Sequence, residues 1–327
     1  MNIVVLAGGV GGAKLCHGIA LSAGQEHLSV VVNTADDFEL YGLHISPDLD
    51  TMMYTLAGIG NPQTGWGIAG DTFNNFDMLE RYGVQPWFRI GDRDLATHLL
   101  RTQLIAEGMT LSAITQTLAQ RLGVKARILP MTDDRVRTVV DTDEGLFAFQ
   151  DYFVKLKWQP EVRSLIFEGA EEAHPTDAVL RAIEVADTII IAPSNLYLSI
   201  DPILAVPGIK EMLLNAAAPI IAVTPIIAGE SVKGPAAKLM RELGVECSAV
   251  AVAQHYADLL NGFVLDSRDA ALEPRIAAMG IQTLVTDTLM TNLEARARLA
   301  CEVLDFADRL RPEKLGGCCP DRLLPSS

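Results

Sequence analysis

A glycine-rich turn after the first apolar run constrains the fold of this chain more than any other stretch. The run Ile3 to Ala7 leads into Gly8-Gly9-Val10-Gly11-Gly12 and then into an amphipathic, small-residue stretch. This order predicts a strand, a tight turn and a helix, because glycine lets the backbone turn sharply and approach a ligand closely. A helix N-terminus presents unpaired N–H groups and Lys14 adds a full positive charge, so we expect a phosphate or diphosphate there.

The glycine turn matches neither of the two common nucleotide-binding motifs. In the dinucleotide fingerprint counted from Gly9 and Gly11, Lys14 occupies the position of the third glycine. A Walker A loop requires serine or threonine after Gly-Lys, whereas Leu15 follows Lys14 here. The turn therefore predicts nucleotide or phosphate binding through Gly9, Gly11, Gly12 and Lys14, without indicating hydride transfer or triphosphate hydrolysis. A turn that binds no ligand is the alternative.

Composition narrows the class of protein. The 327 residues suffice for a large α/β domain with an insertion or for two domains, and the net charge of −15 disfavours a nucleic-acid partner. No apolar stretch approaches the ~20 residues that span a bilayer, and Met1 leads straight into a core strand. We therefore expect a cytoplasmic protein with no membrane contact. The five cysteines show no spacing suited to zinc.

Four carboxylates follow the second predicted strand, Leu28 to Asn33. They lie in Asn33-Thr34-Ala35-Asp36-Asp37 and in Ser46-Pro47-Asp48-Leu49-Asp50-Thr51, which begins a helix. The carboxyl ends of strands in an open α/β sheet face the ligand cleft, and carboxylates gathered there repel one another unless a cation joins them. Hard oxygen ligands suit Mg²⁺, so Asp36, Asp37 and Asp50 are candidate metal ligands. Helix capping is the alternative role of Asp48 and Asp50.

Two further stretches carry groups that suit a planar ligand. Trp87-Phe88-Arg89 could form a stacking platform with a charged edge, although the charges after it also suit a solvated helix cap. Pro193-Ser194-Asn195 follows an apolar strand, and Asn195 could contact a base or a ribose, or simply form a turn.

The alternation of apolar strands and amphipathic helices predicts an α/β fold, a Rossmann-like doubly wound and mostly parallel sheet with a smaller α+β insertion. We assign residues 1–70 and 164–310 to the nucleotide-binding core, and residues 71–163 to the insertion, with helices and β-hairpins. Residues 311–327 should form a flexible tail without a catalytic role.

Several of these stretches resemble the CofD family, the 2-phospho-L-lactate transferases of coenzyme F420 biosynthesis and their bacterial phosphoenolpyruvyl counterparts. The glycine turn, the two acidic stretches, Gly91-Asp92-Arg93-Asp94-Leu95-Ala96-Thr97-His98 and Ala192-Pro193-Ser194-Asn195 carry the resemblance. Thr224-Pro225-Ile226-Ile227-Ala228-Gly229 with Lys233-Gly234 extends it. Leu196 departs from the family, which usually has a second proline there.

The resemblance implies a reaction that the residues alone do not predict. A three-carbon acid joined to guanosine through a diphosphate would pass its acid-bearing phosphoryl group to the ribityl hydroxyl of the 5-deazaflavin Fo, releasing GMP. Its implied cofactor is Mg²⁺, and the implied state is a homodimer. The implied site residues are Asp50 and Asp48 for catalysis, Asp50, Arg89 and Trp87 for Fo, and, for the nucleotide and its diphosphate, Gly9, Gly11, Gly12, Lys14, Asn33, Ser194 and Asn195.

Alternatives remain for the three-carbon acid of the donor and for the class of protein. The glycine-rich stretches favour an enolpyruvyl donor over a lactyl or glyceryl donor, because they look more like the bacterial members. Related nucleotide-sugar-binding regulators share the glycine turn and the Asp-Asp turn but lack the Ser-Pro-Asp-Leu-Asp and Gly-Asp-Arg-Asp-Leu stretches. An NAD-dependent oxidoreductase is disfavoured by the broken fingerprint.

Overall fold

The centre of the protein is a seven-stranded parallel sheet, seen in a computed structural model that describes residues 1–311. Its strands follow the order β14-β13-β10-β9-β1-β2-β5. The strands of the whole fold are β1 Ile3–Ala7, β2 Leu28–Val32, β3 Phe38–Leu40, β4 Leu43–Ile45, β5 Arg127–Pro130, β6 Arg137–Thr142, β7 Gly145–Ala148, β8 Val162–Glu168, β9 Thr188–Ile191, β10 Ile220–Val223, β11 Ile226–Ile227, β12 Glu230–Ser231, β13 Gly262–Asp266 and β14 Gln282–Thr286.

Helices cover both faces of the central sheet. They are α1 Gly9–Ala23, α2 Pro47–Leu56, α3 Asn74–Arg81, α4 Asp92–Ala106, α5 Leu111–Arg121, α6 Asp177–Glu184, α7 Asp201–Ala205, α8 Ile209–Leu214, α9 Ala236–Glu242, α10 Ala249–His255, α11 Glu273–Ala277 and α12 Leu293–Leu310. No helix within residues 1–311 combines the length and the apolarity needed to cross a bilayer.

The order of the strands makes the sheet doubly wound, as the sequence predicts. From β1 the chain adds β2 and β5 on one side, and it then returns to add β9, β10, β13 and β14 on the other. The switch point lies between β1 and β9, where Val5 pairs with both Val30 and Ile190. Ligands of such sheets bind outside the carboxyl ends of the strands at this point.

Strand β1 is buried along its whole length because both faces of the sheet are covered. Ile3 and Val5 pack into a core with α1 and α12, whereas Val4 and Leu6 pack into a second core with α6 and α8. Burying an aliphatic side chain fully contributes about 1.5–3 kcal/mol. This continuous apolar strand therefore fixes the position of the glycine turn that follows it.

The structure exchanges two strands, β5 and β8, between the central sheet and the insertion relative to the assignment made from the sequence. Strand β5, within the range 71–163 assigned to the insertion, pairs in parallel with β2 and belongs to the central sheet. Strand β8, assigned to the core, instead pairs antiparallel with β6 in the three-stranded sheet β7-β6-β8. The burial pattern explains this, since Ile128 and Leu129 are both buried, whereas β8 alternates towards solvent.

The three-stranded sheet confirms the expected small antiparallel unit, and β3-β4 and β11-β12 add two hairpins. One predicted strand is shorter than expected. The segment Leu146 to Val154 is extended only to Ala148, and Asp151–Lys155 forms a helical turn. The tail predicted to be flexible lies, apart from Arg311, outside the described residues.

Candidate active site

A cleft of about 600 Å³ lies at the carboxyl edge of the central sheet. The starts of α1 and α2, the loop after β9 and the segment before α4 all contribute to its lining. The structure thus places the glycine turn and Pro193-Ser194-Asn195 at one cleft, as expected for residues that follow the two central strands.

Glycines in the turn allow two loops to touch. A Cβ atom on Gly11 would lie 2.3 Å from the Pro193 carbonyl oxygen, and one on Gly12 would lie 2.6 Å from Ser194 Oγ. The Gly8 N–H donates to Ser194 Oγ over 3.1 Å, and the Ser194 hydroxyl donates to the Gly8 carbonyl over 2.7 Å. The N-cap residue of α1, Gly8, makes no side-chain cap, and the Gly9 N–H donates to the Asp48 carboxylate, so the later N–H groups of the first turn are the ones that a ligand could bind.

Asp48 ties α2 to the glycine turn. Its carboxylate accepts hydrogen bonds from the Gly9 N–H at 2.7 Å and from Asn33 Nδ2 at 3.1 Å. Asn33 also donates to the Leu198 carbonyl, so Asn33 and Asp48 hold the two acidic stretches against the loop after β9. Burial raises the pKa of Asp48 to about 6, although both hydrogen bonds oppose the shift.

Asp36 is the buried carboxylate with the least compensation in the cleft. Its Oδ1 atom has no hydrogen-bond partner within the described residues. Burial, and then the nearby Asp48 carboxylate, raise its pKa well above the ordinary value. A bound cation would remove both unfavourable contributions, because it would replace the lost hydration and screen the repulsion.

Asp37, the next residue, does not line the cleft. Its Oδ2 atom accepts from Ser46 Oγ at 2.7 Å and lies 3.2 Å from His44 Nε2. Its pKa is raised, mainly by burial. These contacts leave Asp37 with a clear structural role in joining the two acidic stretches.

Asp50 forms a buried ion pair with Arg101. Both Asp50 carboxylate oxygens bond to the guanidinium, Oδ2 to Nη1 at 3.1 Å and Oδ1 to Nη2. Arg101 is 1% exposed. Asp50 lines the cleft, so the ion pair lies at the cleft wall. The guanidinium therefore supplies positive charge at the position where the sequence predicts a metal ligand.

A polar group on α4 completes this corner of the cleft. Asp94 accepts from the Tyr54 hydroxyl at 2.8 Å and lies 3.4 Å from His98 Nε2. Ligand atoms of Asp50, Asp94 and His98 lie within 4.8 Å of one another.

Arg101 is not among the candidate site residues predicted from the sequence. The spacing of Asp94, His98 and Arg101 (i, i+4, i+7), which puts them on one helix face, is the signal that could have found it.

The predicted aromatic platform lines the cleft. Trp87, Phe88 and Arg89 all contribute to it, and the Phe38 ring packs 4.9 Å from Phe88 and 6.0 Å from Trp87, between centroids. The Arg89 guanidinium carbon lies 4.3 Å from the Phe73 ring centroid, a distance typical of a cation–π contact.

Lys14 and Asn195 also reach the cleft. Asn195 Oδ1 caps the helical turn after it, accepting from the Tyr197 and Leu198 N–H groups, while Nδ2 is buried without a partner in the described chain. The amide nitrogen is therefore the part of Asn195 that is available to a ligand. Of the predicted nucleotide contacts, Gly9, Gly11, Lys14, Ser194 and Asn195 line the cleft, whereas Gly12 and Asn33 stand behind it.

The sheet and the placement of its cleft define a doubly wound α/β protein whose candidate site combines a glycine turn at the start of a helix, buried carboxylates and an aromatic wall. More particularly, the chain belongs to the 2-phospho-L-lactate transferase CofD family, whose model matches residues 3–303. It is accordingly a transferase.

Two named relatives cover nearly the whole chain. A phosphoenolpyruvate transferase of Streptomyces coelicolor is 44% identical over 317 residues, which are 95% of this chain and 99% of the relative. A 2-phospho-L-lactate transferase of Methanosarcina mazei is 40% identical over 298 residues, covering 91% and 98%. A crystal structure of a UPF0052-family protein from Bacillus halodurans has a TM-score of 0.59 at 17% identity, covering 93% of this chain and 98% of that one, and supports the fold alone.

Proposed function

We propose that this transferase moves the phospho-carboxylic-acid moiety of a guanosine-diphosphate-linked donor to the ribityl hydroxyl of the deazaflavin Fo and releases GMP, in coenzyme F420 biosynthesis. The observation that carries the proposal is that one cleft combines the glycine turn with the aromatic wall of Trp87, Phe88 and Arg89. The first suits a diphosphate and the second suits a planar heterocycle. The family and the names of its relatives support the reaction type.

Each part of the site has a role in this reaction. The first turn of α1 and the Asn195 amide would hold the donor's diphosphate and nucleoside. The acceptor oxygen attacks the acid-bearing phosphorus, the bond from that phosphorus to the bridging oxygen breaks, and GMP leaves with the bonding electrons. Asp50 would orient the attacking hydroxyl and receive its proton, directly or through a neighbour. Arg101 holds the Asp50 carboxylate in place.

The cofactor in the proposal is Mg²⁺. The Asp36 oxygen that has no partner within the described residues lies near the buried Asp48 carboxylate, and both carboxylates offer the hard oxygen ligands that Mg²⁺ prefers. We prefer Asp36 with Asp48 because both line the cleft and neither pairs with a lysine or arginine within the described residues. Asp37 does not line the cleft, and Asp50 is paired with Arg101. The ion would neutralise charge on the phosphoryl oxygens as the phosphorus–oxygen bond breaks.

For the donor acid we propose the enolpyruvyl form. The diphosphate and guanosine are common to all three donors, so contacts to them cannot discriminate among the acids. Supplying enolpyruvyl, lactyl and glyceryl donors in competition, and weighing the product by mass spectrometry, tests this choice. A product dominated by the lactyl or glyceryl form would contradict it.

Ligand titrations of the purified protein test the proposed function itself. We expect binding of Fo and of guanine nucleotides, and transfer when the complete donor is supplied with Mg²⁺. Tight binding of a UDP-sugar without transfer would favour the nucleotide-sugar-binding regulators instead. Binding of NAD with neither of the other two would favour an oxidoreductase.

Arg89 offers a test of the Fo site. We expect Arg89→Ala to raise the KM for Fo by roughly 10-fold, the effect of losing about 1.4 kcal/mol of stacking and hydrogen bonding to the ring. The KM for the guanylated donor should not change. Steady-state kinetics with each substrate varied in turn measures both, and Arg81→Ala on the exposed end of α3 is the control. A larger loss for the donor than for Fo would reassign Arg89 to the nucleotide.

A further inference from the structure

Within residues 1–311, three cations at or close to one end of the cleft have no carboxylate partner. They are Lys14 in the second turn of α1, Lys233 in the segment between β12 and α9, and Arg296 in the first turn of α12, and we call them the cation cluster. No ion pair joins any of them to an acidic group within residues 1–311. The chain carries 41 acidic residues against 26 lysines and arginines, so unpaired cations gathered at one place call for an explanation.

Contacts with neighbouring residues hold Lys233 and Arg296 near the cleft. The Lys233 ammonium donates to the Thr64 carbonyl, and a Cβ atom on Gly65 would lie 3.1 Å from Lys233 Nζ. Arg296 Nη1 lies 3.1 Å from His17 Nδ1, one helical turn along α1 from Lys14. Lys14 and Lys233 line the cleft, and Arg296, which is not part of the lining, lies close enough to Lys14 for its charge to lower the Lys14 pKa.

This arrangement is unfavourable in the absence of an anion. Partial burial lowers the pKa of Lys14, and the positive charges of Arg296 and Lys233 lower it further. Arg296 lies at a helix N-terminus, where the helix dipole disfavours a cation, and its Nε atom is buried with no hydrogen-bond partner in the described part of the chain. Such costs are offset when an anion binds between the charges, because opposite charges in a partly dehydrated site attract strongly.

The donor in the proposed function has one anionic group that the rest of the cleft does not serve. The glycine turn and a cation at Asp36 and Asp48 suit the diphosphate, whereas no other lysine or arginine of the described chain lines the cleft except Arg89 on the aromatic wall. The carboxylate of the three-carbon acid therefore lacks a partner. Arginine and lysine are the usual partners of a carboxylate in a binding site.

We propose that the cation cluster binds the carboxylate of the three-carbon acid and so selects a carboxylate-bearing donor. This inference rests on the proposed function. It adds Lys233 and Arg296 to the donor site and assigns Lys14 to the acid end of the donor. Carboxylate and phosphate share the chemistry that the cluster recognises, and the experiment distinguishes the two sources.

Calorimetric titration in the absence of Fo tests the assignment. The ligands are GDP and the guanosine-diphosphate ester of the three-carbon acid, and the variants are Lys14→Gln, Lys233→Gln and Arg296→Gln. Each should weaken binding of the ester by roughly 10- to 100-fold, as expected for losing one hydrogen-bonded charge, and leave the Kd of GDP unchanged. Arg309→Gln, at an exposed position later on α12, is the matched control.

Three results would overturn the assignment. Equal weakening of GDP and of the ester would assign the cluster to the diphosphate, and variants that bind the ester as tightly as the unaltered protein would leave the cluster without a donor role. Ester binding of normal strength by Arg296→Gln, together with weakened binding by Arg296→Lys, would show that the positive charge at position 296 does not determine ester affinity. Circular dichroism checks that each variant folds, and Lys14→Gln, which alters no internal hydrogen bond in the described residues, decides the matter if Arg296→Gln does not fold.

Failure of the proposed function has a different signature. In that case the unaltered protein would neither bind the ester nor transfer its acid to Fo. Failure of the cation-cluster proposal leaves binding and transfer by the unaltered protein intact and changes only the behaviour of the variants.

Discussion

Replacing Arg101 with glutamine is expected to lower the free energy of unfolding by about 3–5 kcal/mol, because it leaves the buried Asp50 carboxylate without its guanidinium. Transfer activity should fall as well, since Asp50 would no longer be held in one orientation. Urea denaturation followed by circular dichroism measures the first effect, and steady-state kinetics measures the second. Arg121→Gln at an exposed helix position serves as the control.

A double variant separates the ion pair from general damage to α4. Asp50→Asn with Arg101→Gln removes both charges, so its loss of stability should be smaller than the sum of the two single losses, by an interaction energy of about 0.5–3 kcal/mol. Its activity should stay low because the oriented carboxylate is absent. Additive losses of stability in the two single variants would mean that the ion pair contributes little, and that Arg101 acts through packing alone.

Removal of divalent metal is expected to reduce transfer roughly 100-fold or more, the effect of losing several kcal/mol of charge stabilisation at the phosphoryl group. Asp36→Asn should cause a similar loss, because its carboxylate has an unpartnered oxygen and the strongest repulsion from Asp48. Titration with Mn²⁺, followed by electron paramagnetic resonance, measures metal binding independently of activity.

The neighbouring Asp37 provides a matched control for Asp36. Its carboxylate does not line the cleft, and its Oδ2 atom is bonded to Ser46 and close to His44, so Asp37→Asn should retain Mn²⁺ binding while losing some stability. This comparison also separates the pair Asp36 and Asp48 from the set Asp36, Asp37 and Asp50 that the sequence suggests. Normal activity in chelator, together with unaltered Mn²⁺ binding by Asp36→Asn, would exclude a catalytic metal at these carboxylates.

How far the sequence predicts this site depends on how local each signal is. The glycine turn and the start of α2 are short stretches in which residue type and spacing carry the information, and the structure has both at the cleft. The partner of Asp50 is a different matter, because Arg101 lies 51 residues further along the chain. A carboxylate cluster that suits a metal in sequence can equally be neutralised by a distant arginine, and only the packing of α4 against α2 decides which.

Strands β5 and β8 are assigned to the wrong sheets from the sequence for the same reason, because strand pairing also depends on contacts between distant parts of the chain. Short apolar runs such as Arg127–Pro130 and Val162–Glu168 show where a strand lies but not which neighbour it pairs with. Pairing depends on the faces that the other elements leave uncovered. Strand β5 pairs with β2 although α2 to α5 lie between the two strands in the sequence.

The contact between the glycine turn and the loop after β9 has a consequence for biosynthesis of the chain. Gly8 and Ser194 are 186 residues apart, so at about 5–20 residues per second a ribosome needs roughly 10–40 s between making the two halves of the site. Through that interval β1 has β2 beside it but lacks β9, which leaves an apolar edge of the sheet unpaired. Such edges recruit other strands, so the nascent N-terminal half should depend on chaperones until the second half emerges.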